Sequence, residues 1–438
     1  MGRPTKITIR AYQVGFGDCF LLTFHYPSKK GKADDRHVLI DFGSVRLPKN
    51  VPSERLKNIA EDIKKVCSGK LDAVVVTHRH QDHISGFATD KKTAGGKIIA
   101  SLNPKLVIQP WTEDPQARPD ARKPTQQRGS RQFVQALADM QQFSSSVVSE
   151  ALREDGTVGR TKYKRMSFLG ENNLKNASAV RNLMTMGKEH RYVSFGDDCG
   201  LGDLLPGIKV HVLGPPTLEQ SADIKKERSK DKDEFWHLQP AYWLFQAATG
   251  RRFLGKRASP FPNAETLKKP PLYARWFLPR LDNLRRSQMF EIVRILDKAM
   301  NNTSVILLFE VGDKKLLFPG DAQIENWSYA LAQAKTDKEL ESLLKDVDFY
   351  KVGHHGSLNA TPKSLWAKFR KKSPRAKKTG RLETVVSTLP GVYGNKKSNT
   401  EVPRTKLVSE LKNNSTYFST EQIKKKQELC EVLSIATD

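Results

Sequence analysis

Residues 77–83 (THRHQDH) place three imidazoles and one carboxylate within a few positions of each other. The whole chain has only ten histidines, which argues against a chance surface cluster. Imidazole nitrogens and carboxylate oxygens are ligands that zinc and manganese take in proteins, several at a time and in fixed geometry. Alternate side chains can face one metal ion while the last two face another. Four ligands are therefore predicted: His78, His80, Asp82 and His83.

Two later segments supply further candidates for the same site. Asp321, in the tripeptide 319–321 (PGD), follows an expected strand, where a carboxylate can bridge two metal ions. Taken alone it would be read as an ordinary turn residue. His354 and His355 also follow an expected strand, and one of the two can be a ligand while the other supports it.

Short apolar runs predict the elements that position these residues. The β-branched run 71–76 predicts a buried strand that ends at the histidine segment. Apolar residues at three- and four-residue spacing over 56–66 predict an amphipathic helix. Residues 304–310 and 315–318 predict a β-hairpin, and 347–352 a strand that leads to His354.

Strand–helix units at both ends of the chain predict a two-layered α/β core that is interrupted in the middle. We expect one domain with a core over about residues 7–110 and 300–415. Residues 111–300 are expected to be largely a basic insertion, and 416–438 a C-terminal tail.

The 438 residues carry 74 Lys and Arg against 48 Asp and Glu, a formal net charge of +26. This balance favours polyanionic partners, nucleic acid first and anionic membrane second, although a purely solubilising role stays open. No stretch approaches 18 uninterrupted apolar residues, so no integral membrane segment and a cytoplasmic protein are expected. The four scattered cysteines form no CxxC pair, which argues against a thiolate zinc site and a disulfide framework. No protein partner is indicated.

The order of these motifs resembles the metallo-β-lactamase superfamily: H-x-H-x-D-H after a strand, Gly-Asp after a hairpin, and His after a later strand. More narrowly, the chain resembles the branch typified by the hydrolase domain of the competence protein ComEC. The matching pieces are 14–18 (VGFGD), 302–305 (NTSV), 319–321 (PGD) and 351–357 (KVGHHGS). The resemblance covers about 7–100 and 300–415.

This resemblance implies an αββα sandwich that holds two divalent metal ions, zinc or manganese. It implies one ion on His78 and His80 and a second on Asp82, His83 and His354, with Asp321 as the bridge. The superfamily often has a further histidine between the first motif and the Gly-Asp, and no clear match is present. Three histidines of the middle region are more simply read as packing or surface residues: His190, His211 and His237.

The function implied is that of a metal-dependent hydrolase, most simply a phosphodiesterase or nuclease that uses a metal-activated water. Asp82 and His355 are the predicted catalytic residues. The net charge favours DNA as the substrate. Two alternatives stay open: a hydrolase of a small phosphorylated or ester substrate, such as a cyclic nucleotide or a phosphocholine ester, and a metal-containing protein that binds nucleic acid or a partner without turnover.

Substrate contacts are predicted near the last motif. Residues 363–381 carry nine Lys and Arg and no acid, interleaved with Trp366 and Phe369. Such a run suits a single-stranded nucleic acid, whose phosphates meet cations and whose bases stack on rings, although a solvated loop is the simpler alternative. The predicted contacts are Lys363, Arg370, Lys371 and Lys372. Three more candidates for substrate contact or ligand support are Asn302, Ser304 and Ser357.

Overall fold

The computed structural model describes residues 2–29, 32–114, 176–217, 220–221, 300–359, 361–374, 380–397 and 400–437. The chain divides into two units, and these residues belong to the first, which comprises Met1–Ala138, Lys175–Ile224 and Met300–Asp438. The second unit, Asp139–Leu174 and Lys225–Ala299, lies outside the described residues. Most of the expected insertion therefore lies outside them as well.

Two mixed β-sheets form the centre of the described unit. The first contains β1 (Lys6–Tyr12), β2 (Cys19–Lys29), β3 (Lys32–Phe42), β4 (Ala73–Val75), β5 (Leu106–Pro110), β6 (Glu189–Val193) and β13 (Cys430–Ala436). The second contains β7 (Ile208–Gly214), β8 (Ile306–Val311), β9 (Lys314–Phe318), β10 (Phe349–Lys351), β11 (Glu383–Val386) and β12 (Thr416–Ser419). The strand orders are β13-β1-β2-β3-β4-β5-β6 and β12-β11-β10-β9-β8-β7.

Each sheet has an antiparallel half and a parallel half. Strands β13, β1, β2 and β3 pair antiparallel, and β3, β4, β5 and β6 pair parallel. In the second sheet β7, β8 and β9 are antiparallel, whereas β9, β10, β11 and β12 are parallel. Because neighbouring parallel strands end at the same edge, the loops after β3, β4, β9, β10 and β11 can gather functional side chains there.

The two sheets pack face to face. Side chains of a strand alternate between its faces, so Phe20 and Phe24 of β2 point into the core between the sheets. There Phe20 contacts Phe318, with ring centroids 5.9 Å apart, and Phe24 contacts Phe309 at 6.0 Å. Leu21, on the opposite face of β2, packs in the separate cluster that includes the helices.

Helices cover the two outer faces. Over the first sheet lie α1 (Arg55–Val66), α3 (Gly96–Ser101) and α4 (Ala177–Thr185), and over the second α6 (Ile324–Gln333), α7 (Lys338–Lys345), α8 (Lys363–Lys368) and α9 (Thr405–Asn414). Two single-turn helices are α2 (Gln81–Ile84) and α5 (Leu201–Leu204). The expected α/β class, with two sheets and helices around them, is confirmed. Among the described residues no helix is long and apolar enough to cross a membrane.

The boundaries of the core differ from those expected. Strands β6 and β7 lie within the expected insertion 111–300, yet each pairs with a core strand as the outermost strand of its sheet. Residues 416–438 were expected to be a tail, yet they supply β12 to the second sheet and β13 to the first. Because β13 pairs with β1 along its whole length, the two ends of the chain lie side by side.

Candidate metal centre

The buried cluster lies where parallel strands of both sheets end. His78 and His80 follow β4, and Asp82 and His83 lie in helix α2 immediately afterwards. Asp321 follows β9 of the second sheet. A first group within which ligand atoms all lie within 4.8 Å of one another comprises Asp82, His83, Asp321 and His355, and a second comprises His78, His80 and Asp82. The structure thus brings together residues that are 273 positions apart in sequence (82 and 355).

The carboxylate of Asp41 fixes the orientation of the His83 imidazole. Nδ1 of His83 lies 2.8 Å from Oδ2 of Asp41, and Asp41 accepts hydrogen bonds from the backbone N and the Oγ1 of Thr77, each at 2.7 Å. A carboxylate only accepts, so Nδ1 carries the proton. Nε2 of His83 is then directed to Oδ2 of Asp321, 3.1 Å away. Such a carboxylate–imidazole pair is typical of metal-binding histidines.

The imidazole of His355 is oriented in the same way by a backbone carbonyl. Its Nδ1 donates to the carbonyl oxygen of Ser387 at 2.9 Å. Nε2 therefore faces Oδ2 of Asp82 at 3.0 Å and Oδ2 of Asp321 at 3.6 Å. The side chain is completely buried. His83 and His355 thus present the same ring nitrogen to the same pair of carboxylates, one from each sheet.

His354 lies at the edge of this cluster. Its Nδ1 is 2.9 Å from Oγ of Ser357, its Nε2 is 3.9 Å from Oδ2 of Asp321, and its side chain is 27% exposed. The first group of ligand atoms contains His355 and not His354. The sequence predicts the reverse, with His354 as the metal ligand and His355 as a catalytic residue. The reason lies in the backbone: His354 and His355 both adopt positive φ (44° and 53°), and this tight turn sends adjacent side chains in different directions.

Asp82 is common to these two groups, and a third group of potential ligands comprises Asp18, Asp41 and His83. In the second group Nε2 of His78 lies 2.9 Å from Nδ1 of His80. Burial, together with the neighbouring His83 and His80, holds the pKa of His78 well below its usual value, so this ring is neutral and able to donate a lone pair. The sequence favoured Asp321 as the bridge between two metals. In the structure Asp82 is the residue that the two groups share.

The carboxylates and the imidazoles of the first group bias one another's protonation. Burial opposes a charge on His83, but Asp321, Asp41 and Asp82 together outweigh it and hold the pKa of His83 well above its usual value. Burial likewise favours the neutral acid at Asp321 and Asp82, but the neighbouring imidazoles hold both carboxyl pKa values below their usual range. The acids are therefore ionised at neutral pH, and a proton on His83 must leave before that ring can bind a metal.

Three residues of the site received no role from the sequence, although two of them lie in the matching pieces 14–18 and 351–357: Asp18, Asp41 and Lys351. Nζ of Lys351 forms an ion pair with Asp18, donates to the carbonyl oxygen of Gly320 at 3.1 Å, and lies 3.7 Å from Oδ1 of Asp321. Lys351 is 2% and Asp18 1% exposed. Two signals could have found them: a lysine inside the apolar strand 347–352, and an Asp directly after a strand or a glycine turn.

Two glycines let the loops of the site approach closely. A Cβ on Gly43 would lie 2.5 Å from backbone atoms of Asp82 and His83. Gly320 has φ +55°, and a Cβ there would lie 2.6 Å from Cβ of Thr77. Only glycine permits these approaches. They join the loop after β3 to helix α2 within the first sheet, and the loop after β9 to the end of β4.

An ion pair of Arg79 with Glu113 also stabilises the segment 78–83. Arg79 stands between His78 and His80, and its Nε donates to Oε1 of Glu113 at 2.8 Å. Glu113 lies in the helical turn Trp111–Glu113 that follows β5, and its side chain is 7% exposed. Arg79 therefore restrains the backbone of both neighbouring histidines.

In the predicted basic run 363–381, residues 375–379 lie outside the described residues, and the others have a different environment from the one expected. Trp366 and Phe369 are buried in the core between the second sheet and its helices, so their rings do not line an open surface. Arg370 pairs with Asp346 and Lys371 with Asp348, each at 2.6 Å. Both acids precede β10, whereas the histidines follow it, so these cations lie towards the opposite end of that strand.

The other predicted contacts are distributed as follows. Lys363 is exposed at the start of α8, and Nζ of Lys372 donates to the carbonyl oxygen of Trp366 at 2.7 Å. Asn302 and Ser304 are 1% and 0% exposed, and Oγ of Ser304 lies 3.3 Å from the backbone N of Asp321. Ser304 therefore supports the loop of Asp321, and Asn302 is buried rather than open to solvent.

The residues present fit a divalent metal ion. Each of the two groups combines imidazole nitrogens with carboxylate oxygens, the donor set that zinc and manganese accept. Oδ1 of Asp321 is buried, and within the described part of the chain it accepts no hydrogen bond. A buried carboxylate oxygen without a donor is costly, and a cation would satisfy it. The buried His/Asp cluster could therefore bind metal.

Comparison with known proteins adds little to this geometry. No family model and no curated protein matches the chain. Among solved structures, "Crystal structure of a long form RNase Z from yeast" matches 25% of this chain and 15% of that chain, with 15% sequence identity and a TM-score of 0.16. The chain thus spans about a seventh of the length of that structure. An alignment with so low a TM-score carries no argument about fold or function.

Proposed function

We propose that the protein is a metal-dependent hydrolase of the metallo-β-lactamase type that cleaves phosphodiester bonds in nucleic acid, with DNA as the favoured substrate. One observation carries the proposal: His83 and His355 come from different sheets, and each presents Nε2 to the carboxylates of Asp82 and Asp321. Hydrogen bonds to Nδ1 orient both imidazoles before any ligand binds, and a reactive metal centre requires such preorganised side chains.

Each residue of the cluster has a role in this proposal. His78, His80, Asp82, His83, Asp321 and His355 would hold two divalent ions, zinc or manganese. Bound there, two such ions supply a nucleophile from water at neutral pH and offset negative charge on a phosphoryl group. Asp41 and the carbonyl of Ser387 orient the two histidines. Asp82, the acid with the greatest exposure in the cluster at 13%, would orient the attacking water by accepting a hydrogen bond from it.

A phosphodiester is favoured over other esters because of charge. The chain carries a formal net charge of +26, and a nucleic acid presents one negative charge per nucleotide. A positive surface raises the local concentration of such a substrate and speeds its encounter with the site. DNA rather than RNA is the choice that the ComEC-type motifs favour.

The test is cleavage of end-labelled single- and double-stranded DNA, and of RNA, by the purified chain with added manganese or zinc. Cleavage is expected for DNA, and it should disappear with EDTA, in His80→Ala and in Asp82→Ala. His211→Ala is the matched control, because His211 pairs with Glu310 on strands β7 and β8 and is absent from every group of potential ligands. This variant should cleave as the parent chain does.

Three outcomes would count against the proposal. Hydrolysis of a small phosphodiester reporter without cleavage of nucleic acid would indicate that the site acts on small substrates instead. Binding of DNA by a metal-loaded chain with no turnover of any substrate would make it a binding protein. Cleavage that persists in both Asp82→Ala and His80→Ala would show that the cluster takes no part in the reaction.

A further inference from the structure

Phe16 contacts both a histidine of the candidate metal centre and two neighbouring loops. The ring of Phe16 lies 4.3 Å from the imidazole of His355 and 4.7 Å from the ring of Tyr393. Its backbone N donates to the carbonyl oxygen of Arg46 at 2.9 Å. Tyr393 belongs to the loop after β11 and Arg46 to the loop after β3. Both loops therefore lie beside the cluster, at the edge where the parallel strands end.

Both of these loops are basic. Residues 43–53 (GSVRLPKNVPS) and 388–397 (TLPGVYGNKK) contain no Asp or Glu. They contain four cations, all of them exposed: Arg46, Lys49, Lys396 and Lys397. Within the described part of the chain none of the four takes part in an ion pair. Arg370 and Lys371, in contrast, are already paired with Asp346 and Asp348.

We propose that residues 43–53 and 388–397, which we call the rim loops, hold the phosphate backbone of a nucleic-acid strand across the metal centre. This inference rests on the proposed function, because it assigns the substrate-holding surface of the same site. The rim loops follow strands of different sheets, and both reach Phe16, so a strand that contacts both passes over His355. Four exposed cations divided between the two loops suit a chain with regularly spaced charges better than a single small anion.

The salt dependence of binding follows from the number of cations. Each phosphate contact with a single strand lowers the slope of log K against log salt by about 0.7, so four contacts give a slope of about −2.8. Affinity then falls roughly 50-fold between 50 and 200 mM salt. Removing one rim loop's two cations should reduce the slope to about −1.4 and the salt effect to roughly sevenfold.

The experiment is fluorescence anisotropy with a labelled single-stranded DNA of about 20 nucleotides, the full chain and EDTA in the buffer. Three double variants carry the same change of charge: R46E/K49E, K396E/K397E and K64E/K65E. The last pair is the control, because Lys64 and Lys65 are exposed in the final turn of α1 on the outer face of the first sheet. Circular dichroism and thermal unfolding check that all three variants fold.

The expected result is at least tenfold weaker binding for both rim-loop variants, with the flatter salt slope, and a change below about threefold for K64E/K65E. Equal weakening by all three variants would overturn the inference, because net charge alone would then explain binding. Unchanged binding by the rim-loop variants would overturn it as well. Binding is measured without metal, so failure of the proposed catalysis shows separately in the cleavage assay.

Discussion

Lys351 is the buried cation of the metal centre, and Lys351→Met tests what its charge does. In the metal-free chain the ammonium faces Asp18 and lies 3.7 Å from Asp321, with 2% of the residue exposed. Methionine fills similar space without charge and leaves both carboxylates without this cation. Removing one partner of a buried ion pair costs about 3–5 kcal/mol. The free energy of unfolding in EDTA should fall by about that amount.

A divalent ion should reverse part of this loss. The ammonium and a metal ion carry the same sign and share the carboxylate of Asp321, so the ammonium weakens metal binding. Two unit charges 4 Å apart interact by roughly 4 kcal/mol at an effective dielectric constant of 20. Even a third of that is about 1.4 kcal/mol, or tenfold in affinity. Lys351→Met should therefore bind zinc or manganese on the order of tenfold more tightly than the parent chain.

The assay is urea unfolding followed by tryptophan fluorescence, in EDTA and in saturating metal. Lys105→Met is the control, because Lys105 pairs with Asp72 at 2.8 Å ahead of β4, at the opposite end from the histidines, with its side chain 46% exposed. An exposed pair contributes at most about 1 kcal/mol. The reasoning is refuted if Lys351→Met loses less than 1 kcal/mol in EDTA, or if its metal affinity falls.

Three further predictions concern the same site. Because the neighbouring carboxylates raise the pKa values of His83 and His355, metal binding at pH 7 should release protons from these rings and tighten as the pH rises; titration calorimetry in two buffers of different ionisation enthalpy measures this, and identical heats would contradict it. Gly43→Ala should lower the free energy of unfolding in urea by at least 2 kcal/mol and should lower the metal content, because the added Cβ would meet the backbone of Asp82. Gly202→Ala is the control, because its Cβ would meet no atom closer than 4.0 Å. Glu113→Gln should weaken metal affinity about 10- to 100-fold, with Glu189→Gln, at an exposed pair, as the control without effect.

Much of the fold followed from periodicity in the sequence. The run 71–76 contains β4, the helical spacing over 56–66 matches α1 at Arg55–Val66, and the expected hairpin corresponds to β8 and β9. These elements are local, so a pattern of a few residues determines them. Strand β13 was missed because its partner β1 lies more than 400 positions away, and nothing in residues 430–436 indicates which strand they pair with.

The site shows the same division between local and distant information. The segment 77–83 was recognised because its candidate ligands are adjacent in sequence. The structure groups His355 rather than His354 with them, and a linear motif does not say which way either side chain turns. The choice depends on two residues with positive φ and on the carbonyl of Ser387. The place of Asp18 and Asp41 in the site becomes visible only once the loops meet. Arg370 and Lys371 show that a cation close in sequence to a candidate ligand can lie towards the opposite end of the strand.

The central claim is that Asp82, His83, Asp321 and His355 form a metal-binding group, and metal content tests it most directly. The parent chain, His355→Ala and His354→Ala would each be loaded with zinc, desalted and measured by plasma mass spectrometry. Bound zinc is expected in the parent chain, at least one ion fewer in His355→Ala, and nearly the parent content in His354→Ala. A parent chain that retains no metal, or a His354→Ala chain that loses as much as His355→Ala, would contradict the claim.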